Sequence, residues 1–171
     1  KGIDVHYLTT SKQKISHENN YKGFFWSPSS GTLDKDCFEG VDVIINLAGS
    51  TISKRWTASY KTEVVQSRVQ ALQALKRELL NGGHQVKQII SASAIGIYPD
   101  SLTNYYDETY TETSSGFLGQ VVKTWESAAD EFSELDIRVA KIRIGLVLSH
   151  SDGALSKLIQ PISLGLGSAF G

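Results

Sequence analysis

Apolar and polar positions alternate between two periods along this chain. Five apolar positions from Val41 to Leu47 form a short continuous run, the pattern of a strand buried on both faces of a parallel sheet. The run ends in Ala48-Gly49-Ser50, side chains small enough to let another body approach the backbone. From Thr57 to Leu80 the period becomes helical: Val65, Val69, Leu72, Leu75 and Leu79 recur every three or four residues before the stop signal Asn81-Gly82-Gly83. A second apolar run from Val86 to Ser91 again leaves into small residues, Ser91-Ala92-Ser93-Ala94. The next helix, over 117–132, carries Leu118, Val121, Val122, Trp125, Ala129 and Phe132 on one stripe. Another strand follows over 137–148, then a helix over 154–162 that contains Pro161.

Upstream, Ile3, Val5 and Tyr7 alternate with polar neighbours in a strand over 3–9. The stretch to Asn20 is polar loop with room for one helical turn. Tyr21 to Trp26 reads as an aromatic strand closed by Ser27-Pro28-Ser29-Ser30-Gly31. A loop rich in Tyr, Thr and Glu spans 99–115. Strands and helices alternate and no hairpin signal joins neighbouring strands, so the pattern predicts an α/β fold, a parallel sheet covered by helices on both sides. Without internal repeats or linker composition, residues 1–171 form a single domain.

The composition narrows the function more than the fold. Forty per cent apolar and 20% charged residues in 171 are globular values. A net charge of -1 gives no general attraction to nucleic acid or an anionic membrane. Cys37 is the only cysteine, which excludes an intrachain disulfide and a multi-cysteine metal site and makes a reduced, cytoplasmic protein the default. His6, His17, His84 and His150 lack metal-ligand spacing. No apolar stretch approaches the roughly 20 residues of a membrane helix, and nothing at the start reads as a signal peptide. The chain opens at Lys1 with no methionine and stops at Gly171 after an unfinished loop, so a fragment or an incompletely recorded chain is expected.

In an open α/β sheet, ligands sit beyond the carboxyl ends of the strands. Two strands leaving as NLAGS and SASAIG, each followed by a helix, therefore mark a place for a cofactor. These pieces belong to a longer pattern: NLAGSTISKRW (46–56), KTEVVQSRVQALQAL (61–75), SASAIGIY (91–98), FLGQVVKTWESAA (117–129), RIGLVLS (143–149) and PISLGLG (161–167). In this order, over nearly the whole chain, they resemble the extended short-chain dehydrogenase/reductase superfamily. Within it, they are similar to the branch of NAD(P)-dependent epimerase-family proteins of uncertain substrate. The resemblance implies a Rossmann-like doubly wound parallel sheet that lacks its first strand, its glycine-rich GxxGxxG turn and most of the C-terminal substrate region.

The cofactor expectations follow. Folds of this kind that prefer NAD place an acidic residue near the end of the second strand. Here Thr9, Thr10 and Lys12 stand there, with no carboxylate until Glu18. That suits a 2′-phosphate and favours NADP(H), with NAD(H) as the alternative; a solvated turn with an incidental lysine is the plainer reading. By resemblance, Leu47, Ala48 and Gly49 pass under the adenine ribose and pyrophosphate. Ser91 belongs to the neighbouring exit, and Leu146 and Val147 pass the nicotinamide. Arg55 and Trp56 either grip a phosphate or anchor their loop. Glu63 and Arg68 lie about 140° apart on their helix; the resemblance implies that both approach the cofactor, and two exposed helix charges are the alternative.

For chemistry, Ser93 aligns with the superfamily's catalytic Ser/Thr. The usual Tyr and Lys do not: their positions fall on Leu118 and Val122, and Lys123 is about 100° round the helix. Tyr98 is the substitute acid/base, ahead of Tyr105 and Tyr106, provided that a cation helps it. The resulting expectation is an oxidoreductase or epimerase acting on a small carbonyl, hydroxyl or nucleotide-sugar substrate. The alternative is a non-catalytic NADPH-sensing protein that lost the Tyr/Lys pair. A homodimer is expected by analogy alone.

Overall fold

The computed structural model describes residues 2–149 together with 155, 159, 162, 163 and 165. The N-terminal region forms β1 (Val5–Thr9), β2 (His17–Glu18), β3 (Tyr21–Ser27) and β4 (Thr32–Leu33). β1 and β3 pair in parallel, while the two-residue β2 and β4 run antiparallel to β3. The second region forms β5 (Val43–Asn46), α1 (Ala58–Leu80), β6 (Gln88–Ala94), α2 (Phe117–Asp130) and β7 (Arg138–Ile144). Its strands make a parallel sheet in the order β5-β6-β7.

Among the described residues no ladder joins the two sheets, so β1 and β5 each keep one unpaired edge. That is the arrangement of a doubly wound fold without its first strand. One core nevertheless spans both halves: Phe24 and Trp26 of β3 pack with Leu72, Leu75 and Leu79 of α1, Ile89 of β6, and Trp125 and Phe132. Burying each such side chain stabilises the fold by about 1.5–3 kcal/mol.

The helices begin where local chemistry directs. The Thr57 hydroxyl accepts from the Tyr60 N–H at 3.2 Å, capping α1, and Gly82 and Gly83 follow its end with positive φ. Its buried face holds Tyr60, Val64, Ala71, Leu72, Ala74, Leu75 and Leu79, wider than the valine–leucine stripe and rotated so that Val64 is enclosed. In α2, Gly119 is required by close approach: a Cβ there would stand 2.2 Å from the Ser114 carbonyl oxygen.

Beyond the antiparallel β2–β3 and β3–β4 neighbours, where no hairpin was expected, three expectations need correction. β5 is not buried on both faces. Ile44 and Asn46 turn inward, whereas Val43, Ile45 and Leu47 are 45%, 65% and 73% exposed. The cause is the disposition of the helices: α1 and α2 pack on each other and so cover the same face, leaving Val43, Ile45, Ile142 and Ile144 open on the other. Helical cover on both sides is therefore absent among the described residues. Third, β6 continues to Ala94, so the small residues after Ile90 belong to the strand itself. The helix expected over 154–162 falls largely outside the described residues, as do His150 and most of PISLGLG.

Candidate functional site

β5 and β6 finish side by side, with Asn46 in register with Ser91. The Asn46 Nδ2 donates to Ser91 Oγ at 3.2 Å, and Asn46 Oδ1 accepts from the Ala48 N–H at 3.3 Å. One buried amide thus ties the strands together and starts the turn. The Ser91 hydroxyl, 1% exposed, is enclosed within this tie.

The turn itself is held by α1. Ser67 Oγ accepts from the Ser50 N–H at 2.9 Å, Glu63 Oε1 accepts from Ser50 Oγ at 3.0 Å, and Arg68 Nη1 donates to the Ser50 carbonyl at 3.1 Å. Glu63 and Arg68 therefore meet at one residue despite their angular separation, because the turn spans the space between them. Arg68 Nη1 also donates to the Val64 carbonyl at 2.9 Å. Its guanidinium lies over the Trp125 ring of α2, 5.0 Å from the centroid. Gly49 makes room for it: a Cβ there would come 3.1 Å from Arg68 Cζ. Arg68 is part-buried, and that desolvation holds its pKa below the ordinary arginine value.

A second network stands along β6, α2 and β7. Ser93, 3% exposed, donates its hydroxyl proton to Glu126 Oε1 at 2.5 Å. Arg143 grips the same carboxylate twice, Nε to Oε1 at 2.9 Å and Nη2 to Oε2 at 3.0 Å. Its Nη1 donates to the Tyr98 phenolic oxygen at 2.8 Å, and its guanidinium lies over the Tyr98 ring at 5.1 Å. Tyr98 in turn donates to the Asp107 carbonyl at 3.0 Å and stacks on Tyr106. Burial acts to raise the Glu126 pKa, but the hydrogen bonds from Arg143 and Ser93 outweigh it and hold the carboxyl below its usual range. Arg143 is shifted upward by the same bond. The carboxylate is therefore ionised and fully partnered.

Ser93 and Tyr98 thus stand at the two ends of one chain, Ser93–Glu126–Arg143–Tyr98; Tyr98, Glu126 and Arg143 line a cleft of about 330 Å³ together with Tyr110, Lys123 and Asp130 among others. Glu126 and Arg143 were not among the expected site residues. Their signal is present in the sequence: a carboxylate at the i, i+4 spacing of an apolar helical stripe with Val122, opposite cations at alternate strand positions 141 and 143. Where a Tyr and a Lys would stand, Leu118 is part-buried and Val122 is 3% exposed.

The remaining expected residues lie apart. Thr9 Oγ1 accepts from the Ser11 N–H at 3.2 Å, Thr10 is exposed, and Lys12 rests over the Phe25 ring at 5.2 Å. Thr9 ends β1 and Thr10 and Lys12 follow it in the next turn, and no hydrogen bond or ring contact among the described residues joins them to the turn after β5. Leu146 and Val147, beyond β7, are 69% and 63% exposed. Trp56 donates its indole N–H to the Ile52 carbonyl at 2.9 Å and meets Phe117 edge-on, which anchors its loop. Among the described residues no group of three or more His, Cys, Asp and Glu is placed to hold a metal, and no helix is long and apolar enough to cross a membrane.

No family model matches the chain. It is 38% identical over 164 residues to an epimerase family protein of Staphylococcus saprophyticus, covering 96% of this chain and 52% of that one. It is 34% identical over 172 residues to an epimerase family protein of Staphylococcus aureus, covering 100% and 57%. The chain thus spans about half the length of the curated relatives it matches. Among solved structures it is similar to human epimerase family protein SDR39U1 with NADPH (TM-score 0.70, 26% identity, 96% of this chain and 52% of that one). It is also similar to a nucleoside-diphosphate sugar epimerase of Corynebacterium glutamicum (TM-score 0.71, 30% identity, 92% and 32%).

Proposed function

We propose, because the chain belongs to the epimerase family of extended short-chain dehydrogenase/reductase relatives, that the protein binds NADP(H), with NAD(H) as the alternative. It acts as an oxidoreductase or epimerase on a small carbonyl, hydroxyl or nucleotide-sugar substrate in the cytoplasm. The observation that carries this reading is the pair of parallel strand ends, β5 and β6, with a small-residue turn held open by α1.

The residues there suit a dinucleotide. Leu47, Ala48 and Gly49 offer backbone for close approach, Ser91 keeps the two strand ends together, and Glu63 and Arg68 fix the turn that the ligand would lie on. Thr9, Thr10 and Lys12 supply hydroxyls and a cation for a 2′-phosphate, and the exposed Leu146 and Val147 offer an apolar wall to the nicotinamide. When bound, the nicotinamide supplies hydride chemistry. Proton transfer is assigned to Tyr98, with Arg143 as the cation beside its phenolic oxygen. Ser93 holds the far end of the same hydrogen-bonded chain.

The second reading, a non-catalytic NADPH sensor, is favoured by apolar Leu118 and buried Val122 at the Tyr and Lys positions. One assay separates the two: full-length protein with NADPH and a panel of carbonyl compounds, followed at the reduced-nicotinamide absorbance band. Turnover that is lost in Tyr98→Phe supports the enzyme. Tight NADPH binding with no turnover supports the sensor, and no NADPH binding refutes both. A homodimer belongs to the same reading by analogy, and sedimentation of the full chain tests it.

A further inference from the structure

The Tyr98 hydroxyl has both of its roles filled within the protein. It donates to the Asp107 carbonyl at 3.0 Å and accepts from Arg143 Nη1 at 2.8 Å. A phenol carries one proton, so no other acceptor can take it while that bond stands. Asp107 belongs to residues 99–115, which run from Tyr98 towards the start of α2 without helix or strand. Structureless connections longer than about 12–15 residues are uncommon in compact folds and are often functional.

The loop is fastened at one end and exposed at the other. Tyr106 stacks on the Tyr98 ring at 5.5 Å and meets the Tyr110 ring at 4.6 Å. Asp107 Oδ1 accepts from the Thr109 N–H at 2.9 Å and from the Thr109 hydroxyl at 2.6 Å. The Asp107 carbonyl also accepts from the Tyr110 N–H at 3.3 Å. These bonds set the direction of the Asp107 peptide. Further out, Leu102 and Tyr105 are fully exposed. Residues 108–113 line the cleft of about 330 Å³ together with Lys123, Ser127 and Asp130 of α2. The stretch that occupies Tyr98 therefore continues into the wall of the cleft. A segment with so few buried contacts opens more readily than the core.

We propose that the Asp107 carbonyl is a built-in occupant of the place where a substrate oxygen would meet Tyr98. Residues 99–115 are then a self-blocking lid, which withdraws before a substrate carbonyl or hydroxyl can accept from the phenol. The geometry is that of the productive contact, a tyrosine O–H donating to a carbonyl oxygen beside a guanidinium. The identity of the displaced ligand rests on the assignment of proton transfer to Tyr98. The blocking contact itself rests on the Tyr98–Asp107 bond alone.

The test is acetylation of the full chain by N-acetylimidazole, with the rate at each tyrosine followed by peptide mass spectrometry. Fully exposed Tyr105 is the internal standard. Asp107→Ala removes the acceptor that orders the turn, whereas Asp107→Asn makes the same change of charge and keeps Oδ1. Thermal unfolding confirms that each variant is folded; should Asp107→Ala not fold, Thr109→Val takes its place. The expected result is a Tyr98 rate that rises about fivefold relative to Tyr105 in Asp107→Ala and stays near wild type in Asp107→Asn. Tyr98 rates that are equal in wild type and Asp107→Ala overturn the proposal, and so does an Asp107→Asn rate as high as that of Asp107→Ala. A carbonyl compound that is turned over with NADPH should show a higher kcat/KM in Asp107→Ala than in wild type. No turnover by any variant, with the acetylation pattern as expected, would sink the enzyme reading and leave the blocking contact standing.

Discussion

Two arginines in this protein lie against aromatic rings at nearly equal distance, Arg68 over Trp125 at 5.0 Å and Arg143 over Tyr98 at 5.1 Å. Their neighbours differ. Arg143 is held by both oxygens of a buried carboxylate, which also receives the Ser93 hydroxyl. Among the described residues Arg68 donates to backbone carbonyls and meets no carboxylate. A charge satisfied from within is part of the scaffold, and breaking its pair harms folding. A charge left uncompensated beside an open turn has its electrostatic potential available to a ligand.

The sharpest way to break this contrast is Glu126→Ala. It strands Arg143 and the Ser93 hydroxyl in a part-buried setting and should cost about 3 kcal/mol or more, read as a lower urea midpoint. Gly119→Ala tests the frame that carries Glu126. With the Ser114 carbonyl oxygen 2.2 Å from the new methyl, backbone has to move, at about 2 kcal/mol. Ser93→Ala removes one charge-assisted hydrogen bond and should cost about 1.5 kcal/mol. Arg68→Gln, on the other side of the comparison, should cost about 1 kcal/mol or less, because relief of the uncompensated desolvation of its guanidinium offsets most of the two backbone hydrogen bonds that are lost.

Acid sharpens the same contrast. The folded Glu126 carboxyl is held below its ordinary range, so its contribution is complete above the unfolded-state value and is lost as the pH falls through the folded one. Urea midpoints of wild type should therefore drop between neutral and acid pH by more than those of Glu126→Gln. Equal acid dependence of the two would mean that Glu126 is not the ionised centre of its network.

Much of the framework was legible in the chain. Helical period gave α1 and α2 to within a few residues, and the two apolar runs are adjacent parallel strands. What the pattern could not supply is which faces are covered. Val43, Ile45 and Leu47 have the composition of a doubly buried strand, yet α1 and α2 share one side of the sheet. The turn after β5 was legible at its small residues, whereas Ser93 entered only through the resemblance and lies inside β6. Glu126 and Arg143 escaped because a buried ion pair joins residues 17 apart in sequence on different elements, and either one alone reads as a surface charge. Arg68 was visible as a residue, but its lack of a counter-charge is a three-dimensional fact.

The account turns on the two arginines doing different jobs, and a crossed comparison of Arg68→Gln with Arg143→Gln measures that most directly. For each variant, the urea midpoint and the affinity for NADPH are taken on the same preparation of the full chain. The prediction is a crossover: Arg68→Gln costs about 1 kcal/mol or less of stability and loses NADPH affinity about tenfold or more, while Arg143→Gln loses about 3 kcal/mol of stability and keeps NADPH affinity wherever it remains folded. Two variants that lose stability and NADPH affinity in the same proportion would contradict it.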